Sequence, residues 1–356
     1  SAACTNSPAT AGSLTVTAVY SGDANFATSS APSVTVTVTK GLTAASLSSS
    51  ANPSVAGQAV TYTATVTSGG PGSAPSGTVN FEDAGVSIAG CSSVSLVPAG
   101  SNGTAACTST YAGTGSHPIT AVYSGDINYL AATSATTTQT VNKSATATAV
   151  TSSIDPSVAG QSVTYSASVT ATAPGTGTPT GTVTFDDGGA AIPSCTTVAL
   201  TVGNGSCALS YASAGSHAIT VVYNGDGNYS TSTSTALTQT VGSDATTTAV
   251  SSSANPSVTG QTVTYKASVS INPPGTGSPT GTVNFQDGGT SIGGCSAVAL
   301  VSGQATCSAP AYTAAGAHAI TAVYSGDSNN ATSTGSLTQT VGMASSTTIV
   351  TSSGSP

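Results

Sequence analysis

Along residues 263–270 apolar and polar side chains alternate one by one. Val263, Tyr265, Ala267 and Val269 fall on one side of an extended chain, and Thr264, Lys266, Ser268 and Ser270 on the other. Period-two alternation predicts a strand with one buried and one wetted face. The pattern returns at Val60-Tyr62-Ala64-Val66 and at Val163-Tyr165-Ala167-Val169. A further strand, residues 218–223, runs into the turn Asn224-Gly225-Asp226. Its closing phrase reads AVYSGD at 18–23, 121–126 and 322–327, and VVYNGD at 221–226. A period of about a hundred residues is too long for a solenoid and right for whole domains in tandem.

Three whole copies span 41–143, 144–243 and 244–343. In the last, a first strand (245–253) ends at ANPSVTG, where Pro256 and Gly260 turn the chain. The alternating strand follows, then a Pro/Gly loop (273–279) and a third strand, GTVNF (281–285). Asp287-Gly288-Gly289 supplies the positive φ angles of a tight turn. A cysteine-bearing hairpin, the AVYSGD strand and a last strand (333–341) complete the copy. No segment has a helical period. Seven or eight short strands in about a hundred residues predict an all-β chain of Greek-key β-sandwiches. Residues 1–40 read as the C-terminal part of a truncated copy. Residues 344–356 read as the first strand of a further one, with Pro356 standing where Pro256 and Pro156 stand. The natural array is therefore expected to be longer. The tail offers one strand where the head lacks about four, which argues against donor-strand closure between molecules.

Composition narrows the function. Three lysines, no arginine, eleven acids and no tryptophan occur in 356 residues, and charged residues make up 4%, against roughly a quarter in ordinary soluble domains. Regular alternation of Val, Ile and Tyr argues against disorder despite the abundant Ser, Thr and Gly. Nucleic-acid binding is excluded for want of clustered cations, and so is electrostatic attachment to anionic lipid. There is no run of eighteen apolar residues and no signal-peptide pattern at the start, so this window predicts no direct membrane insertion. So few basic residues leave trypsin-like proteases almost nothing to cut, which suits exposure outside a cell.

The seven cysteines change the picture further. Cys91 with Cys107, Cys195 with Cys207, and Cys295 with Cys307 form one local pair per copy, read as disulfides in an exported chain. The turn Gly203-Asn204-Gly205 places Cys195 and Cys207 across one hairpin. Cys4 precedes Tyr20 by the same sixteen residues that separate Cys107 from Tyr123, so its partner is expected upstream of residue 1; a free or intermolecular thiol is the alternative. A zinc site lacks CxxC spacing and has only His117, His217 and His318, too few and too spread out.

The order NPSVxGQxVTYxAxV, GTVxFxDGG, paired cysteines and AGSHxITxVYxGDxNY resembles the bacterial immunoglobulin-like repeat domains of large exported surface proteins. The resemblance covers essentially the whole sequence and implies an Ig-like sandwich, secretion, and a role as spacer or adhesive stalk without catalysis. Two departures stand out. The partial first copy lacks the tyrosine present at 111, 211 and 312, and the third copy carries an extra residue around Pro310, where a bulge or edge is expected.

In such a sandwich the loops 174–179, 202–205 and 223–229 share one pole, and the NPSV and DGG turns the other. With short linkers at 140–146 and 240–246, each YxGD pole is expected to face the NPSV/DGG pole of the preceding copy in a semi-rigid rod.

Candidate chemistry is sparse. Ser216, His217 and Asp226 invite a catalytic-triad reading. His117, however, shares parity with Ile119, Ala121 and Tyr123, and Leu14 takes its place in the first copy, so the position reads as structural. Asp23, Asp126, Asp226 and Asp327 read as structural turn residues accepting N–H bonds from their own loops. Calcium at Asp126, Asp226 and Asp327 is the sharper alternative, with Asp187 or Asp287 from a neighbour and Asp244 at one linker as further ligands. No other cofactor is expected. A Lys–Asn isopeptide staple fails because Lys40, Lys143 and Lys266 read as unrelated positions. GTGTPTG (175–181) opens no helix and is no phosphate loop. N-x-S/T matches at Asn102, Asn142, Asn204, Asn228 and Asn330 carry little information.

The first functional expectation is a non-enzymatic extracellular array serving as stalk, surface fibre or filament, its partners being other copies of itself or neighbouring repeats of a longer chain. The alternative is a cell-surface adhesin that takes a glycan or protein on its interstrand loops, with Tyr129 and Tyr229 as candidate contacts. Phe26 and Asn330 stand in their place elsewhere.

Overall fold

In the second whole repeat the alternating stretch becomes the long strand around which one sheet is built. A computed structural model describes residues 1–70 and 72–354; Pro356 lies outside them. The strands of this repeat are β1 (Thr146–Ser152), β2 (Ser157–Val158), β3 (Ser162–Ala171), β4 (Thr182–Asp187) and β5 (Ala190–Ala191). They continue as β6 (Val198–Ala199), β7 (Asn204–Ser210), β8 (Gly215–Tyr223), β9 (Ser232–Thr233) and β10 (Leu237–Gly242). One sheet has the order β1-β3-β7. The other runs β2-β10-β8-β4-β5, with β6 added to β4 and β9 to β8. The β2–β10 pair is parallel.

Alternation decides which face is buried. Val163, Tyr165, Ala167 and Val169 of β3 meet Val183 and Phe185 of β4 and Ile219, Val221 and Tyr223 of β8 in one core, leaving Thr and Ser on the outside. The first and third repeats repeat this arrangement. The chain is thus a series of all-β, Ig-like sandwiches. The helical content of the described residues is a single 3-10 turn, Pro193–Cys195.

Between β1 and β2 the chain passes from one sheet to the other, and a buried amide holds the crossing. Ser152 Oγ donates to Gln239 Oε1 at 2.7 Å, and Gln239 Nε2 donates to Ser157 Oγ at 3.3 Å. Gln139 and Gln339 do the same in their repeats. A fully buried amide without partners would be costly, so its satisfaction specifies where the strand breaks.

Pro310, where a bulge or edge was expected, lies just past the end of the strand Gln304–Ala309, because proline has no N–H to continue the pairing. Residues 344–354 form no strand. Residues 1–40 carry short pairs, Gly12–Val16 with Val34–Val38 and Val19–Tyr20 with Ser29–Ser30. They supply one side of a sandwich only, and Val19 and Phe26 are 72% and 68% exposed.

Candidate functional site at the repeat junctions

The aspartate of each YxGD turn is the first recurring constellation. Asp226 Oδ1 accepts the backbone N–H groups of Asn228 and Tyr229, both at 2.8 Å. Its Oδ2 accepts the N–H and the hydroxyl of Thr180, at 2.9 and 2.6 Å. Burial pushes this carboxyl up, but the four donors outweigh it and hold the carboxyl at about 2. Asp126 with Ser76, and Asp327 with Thr280, repeat the geometry and are likewise depressed. Asp23, in the partial copy, accepts from Asn25, Phe26 and the Tyr20 hydroxyl. These bonds tie the loop at 174–180 to the YxGD turn. They also occupy both oxygens of every turn carboxylate, and among the described residues no three His, Cys, Asp or Glu side chains gather as metal ligands.

Beside that aspartate stands the residue that grips the neighbouring repeat. Asn228 Oδ1 accepts the Thr114 N–H at 3.1 Å, and Thr114 Oγ1 donates to the Gly227 carbonyl. At the next junction Asn329 Oδ1 accepts the Ala214 N–H at 3.1 Å, and its Nδ2 donates to the Ala212 carbonyl at 3.0 Å. Asn128 holds Ala9 and Ala11 of the partial copy in the same way. A second contact joins the first and second repeats: Thr176 Oγ1 donates to the Gly57 carbonyl at 2.8 Å. Linker lysines add a third, with Lys40 Nζ donating to the Asp126 carbonyl and Lys143 Nζ to that of Asp226.

The loop pole of one repeat therefore meets the NPSV turn and the Tyr-Ala corner (111–114, 211–214) of the repeat before it. The DGG turn expected at this contact stands open, with no heavy atom within 4 Å of a Cβ built on Gly188 or Gly288. Lys40 and Lys143 prove to be equivalent positions, contrary to the reading above. The asparagine clamp was also missed. Its signal was the Asn of GDxN, present in all four copies (Asn25, Asn128, Asn228, Asn329).

The histidines pair away from the YxGD turn. His217 Nδ1 lies 2.7 Å from Asp187 Oδ2, and its ring stacks on Tyr211 with centroids 3.7 Å apart. The Tyr211 hydroxyl meets that of Tyr165 at 3.0 Å. Asp83–His117 and Asp287–His318 repeat the pair. Asp226 is committed to Thr180 at the other pole, so Ser216, His217 and Asp226 assemble no triad.

The cysteines are bonded as Cys91–Cys107, Cys195–Cys207 and Cys295–Cys307, with Cα–Cα distances of 5.6, 5.9 and 5.5 Å. The staple does not cross a hairpin. Cys195 follows β5 on one sheet and Cys207 sits in β7 on the other, so the bond clips the two sheets together. Cys4 is exposed and free. Tyr129 and Tyr229, weighed above as contacts for a partner, are buried, their hydroxyls donating to the Ser73 and Thr176 carbonyls.

Residues 47–142, 150–242 and 250–342 each match the bacterial Ig-like domain (group 3) family. The chain belongs to that family. Among curated proteins none matches its sequence. Solved structures similar to these bacterial Ig-like repeats include FdeC, an Escherichia coli adhesin. It is 18% identical over 83% of this chain and 96% of its own, with a TM-score of 0.28. Domains A168–A170 of titin are 11% identical over 83% and 98%, with a TM-score of 0.35. The mouse nectin-like molecule 4 ectodomain is 12% identical over 84% and 99%, with a TM-score of 0.30. At such identities and TM-scores they bear on no functional residue. No helix among the described residues is long and apolar enough to cross a membrane.

Proposed function

We propose that this chain is an extracellular, non-enzymatic mechanical array in which each bacterial Ig-like repeat is docked on the next to form a semi-rigid stalk or fibre. The observation that carries the reading is the asparagine clamp. The same side chain, at the same place in the turn, hydrogen-bonds the preceding unit at three successive junctions. Freely tumbling beads need no such contact, whereas a spacer that holds its reach does. Other copies of the chain, or neighbouring repeats of a longer one, are the partners this reading names. Negative-stain imaging of the chain tests it. Straight particles gaining about 35–45 Å per repeat, from ~3.3 Å per strand residue, support it. Beads joined at random angles overturn it.

A second reading, adhesion to a surface glycan or protein, rests on the turn tips beside the loop pole. Val202 is 78% exposed and Val301 73% exposed, and Val202 has a φ of 50°, a conformation a β-branched side chain adopts at a cost. Changing both valines to serine separates the readings. Weaker attachment to a ligand surface with unchanged particle shape assigns the tips to adhesion.

A further inference from the structure

The junction between the second and third whole repeats differs chemically from the one before it. Where Ser144 bridges Tyr229 in the second repeat, Asp244 bridges Asn330 in the third. Backbone bonds lock the pair, Asp244 N–H to the Asn329 carbonyl at 2.7 Å and Ala331 N–H to the Asp244 carbonyl at 2.8 Å. The two side chains face one another: in the first repeat a Cβ built on the equivalent Gly41 would lie 3.2 Å from the Tyr129 ring. Asp244 is 1% exposed and Asn330 4%. Both Asp244 carboxylate oxygens and Asn330 Oδ1 have no hydrogen-bond partner. The amide orientation is fixed, because Asn330 Nδ2 donates to both oxygens of Asp327, at 2.9 and 3.0 Å; turning it over would set oxygen against carboxylate.

Two further features point the same way. Tyr229 gives its hydroxyl to the Thr176 carbonyl, but Asn330, committed to Asp327, has no hydroxyl to give the equivalent Thr276. The linker cation is lost as well, since Ser243 stands where Lys143 reaches the Asp226 carbonyl. The junction has thus exchanged a lysine for a buried carboxylate beside the half-buried Asp327.

We propose that Asp244, Asn330 Oδ1 and the Thr276 carbonyl bind one hard cation, with calcium as the ion to be tested. Calcium takes oxygen ligands, and here one carboxylate and two neutral oxygens leave its remaining positions to water. The site is built on the exchange at this one junction and stands whether the array is a stalk or an adhesin.

Calorimetric titration of the chelator-treated chain with calcium chloride at neutral pH tests it. The expected result is one site per chain with a Kd on the order of 10⁻⁴–10⁻³ M, the range of extracellular modules. Affinity should fall at least tenfold in Asp244→Ser. The triple variant Asp244→Ser/Asn330→Tyr/Ile271→Ala brings in the side chains of the second repeat at these positions, Ile271 standing where that repeat has Ala171, so it should remain folded by circular dichroism and also lose the site. Absence of saturable binding, or binding unchanged in both variants, overturns the proposal. So does carboxyl NMR showing Asp244 protonated at pH 7 with calcium present.

Discussion

Asn329→Ala isolates the clamp from the fold. The side chain makes two hydrogen bonds to the second repeat, at 3.1 and 3.0 Å. The backbone N–H that Asp327 holds is unaffected by the change. Each lost bond is worth about 1 kcal/mol net. With one of the two at the exposed rim, the junction should weaken by about 1–2 kcal/mol, a roughly 5–30-fold shift toward the undocked state. Pulsed EPR between labels at Ala190→Cys and Thr290→Cys, both exposed sites, in a Cys4→Ser background, reads the junction directly. The expected outcome is a distance distribution much broader than the parent's, with the thermal unfolding midpoint unmoved because no core contact is touched. A distribution of parental width would refute the clamp and leave the junction held by something else.

Reducing Cys195–Cys207, a ring with a sequence separation of 12, should cost the second repeat about 3 kcal/mol in the chain-entropy account; an unchanged denaturant midpoint after verified reduction would contradict it. Acid should act through the turn aspartates. The folded Asp226 carboxyl lies near 2 against an ordinary 3.8, so its stabilisation is complete above about pH 4 and is lost as pH falls toward 2. At ~1.4 kcal/mol per pH unit, reduced for partial exposure, the loss is about 1–2 kcal/mol. Asp226→Asn should flatten this part of the stability–pH curve, and an unaltered slope would count against it.

Much of this protein is written in local order. Alternation at Val163–Val169 dictates which face of β3 is buried, since side-chain period and pleat are both two residues. The recurrence of YxGD with an aspartate in the turn dictates a loop that binds its own N–H groups, because the acceptor and donors lie within three residues of one another. These are short-range matters, and the sandwich follows once two such faces must cover each other.

What only tertiary structure decided involves partners far apart in sequence. His217 could face either Asp187 or Asp226 by composition, and the antiparallel register of β4 with β8 chose Asp187. The disulfide clips sheet to sheet rather than strand to strand because β6 pairs with β4, leaving Cys207 on the opposite layer. Asn228 and Asn329 acquire a task only when another unit's corner arrives within hydrogen-bond reach, and nothing in their own turns signals which atoms will come. The orphaned Asp244 is the same lesson in electrostatic form: its charge is visible in the sequence, but its burial without a donor depends on Gly275 and Asn330, far along the chain.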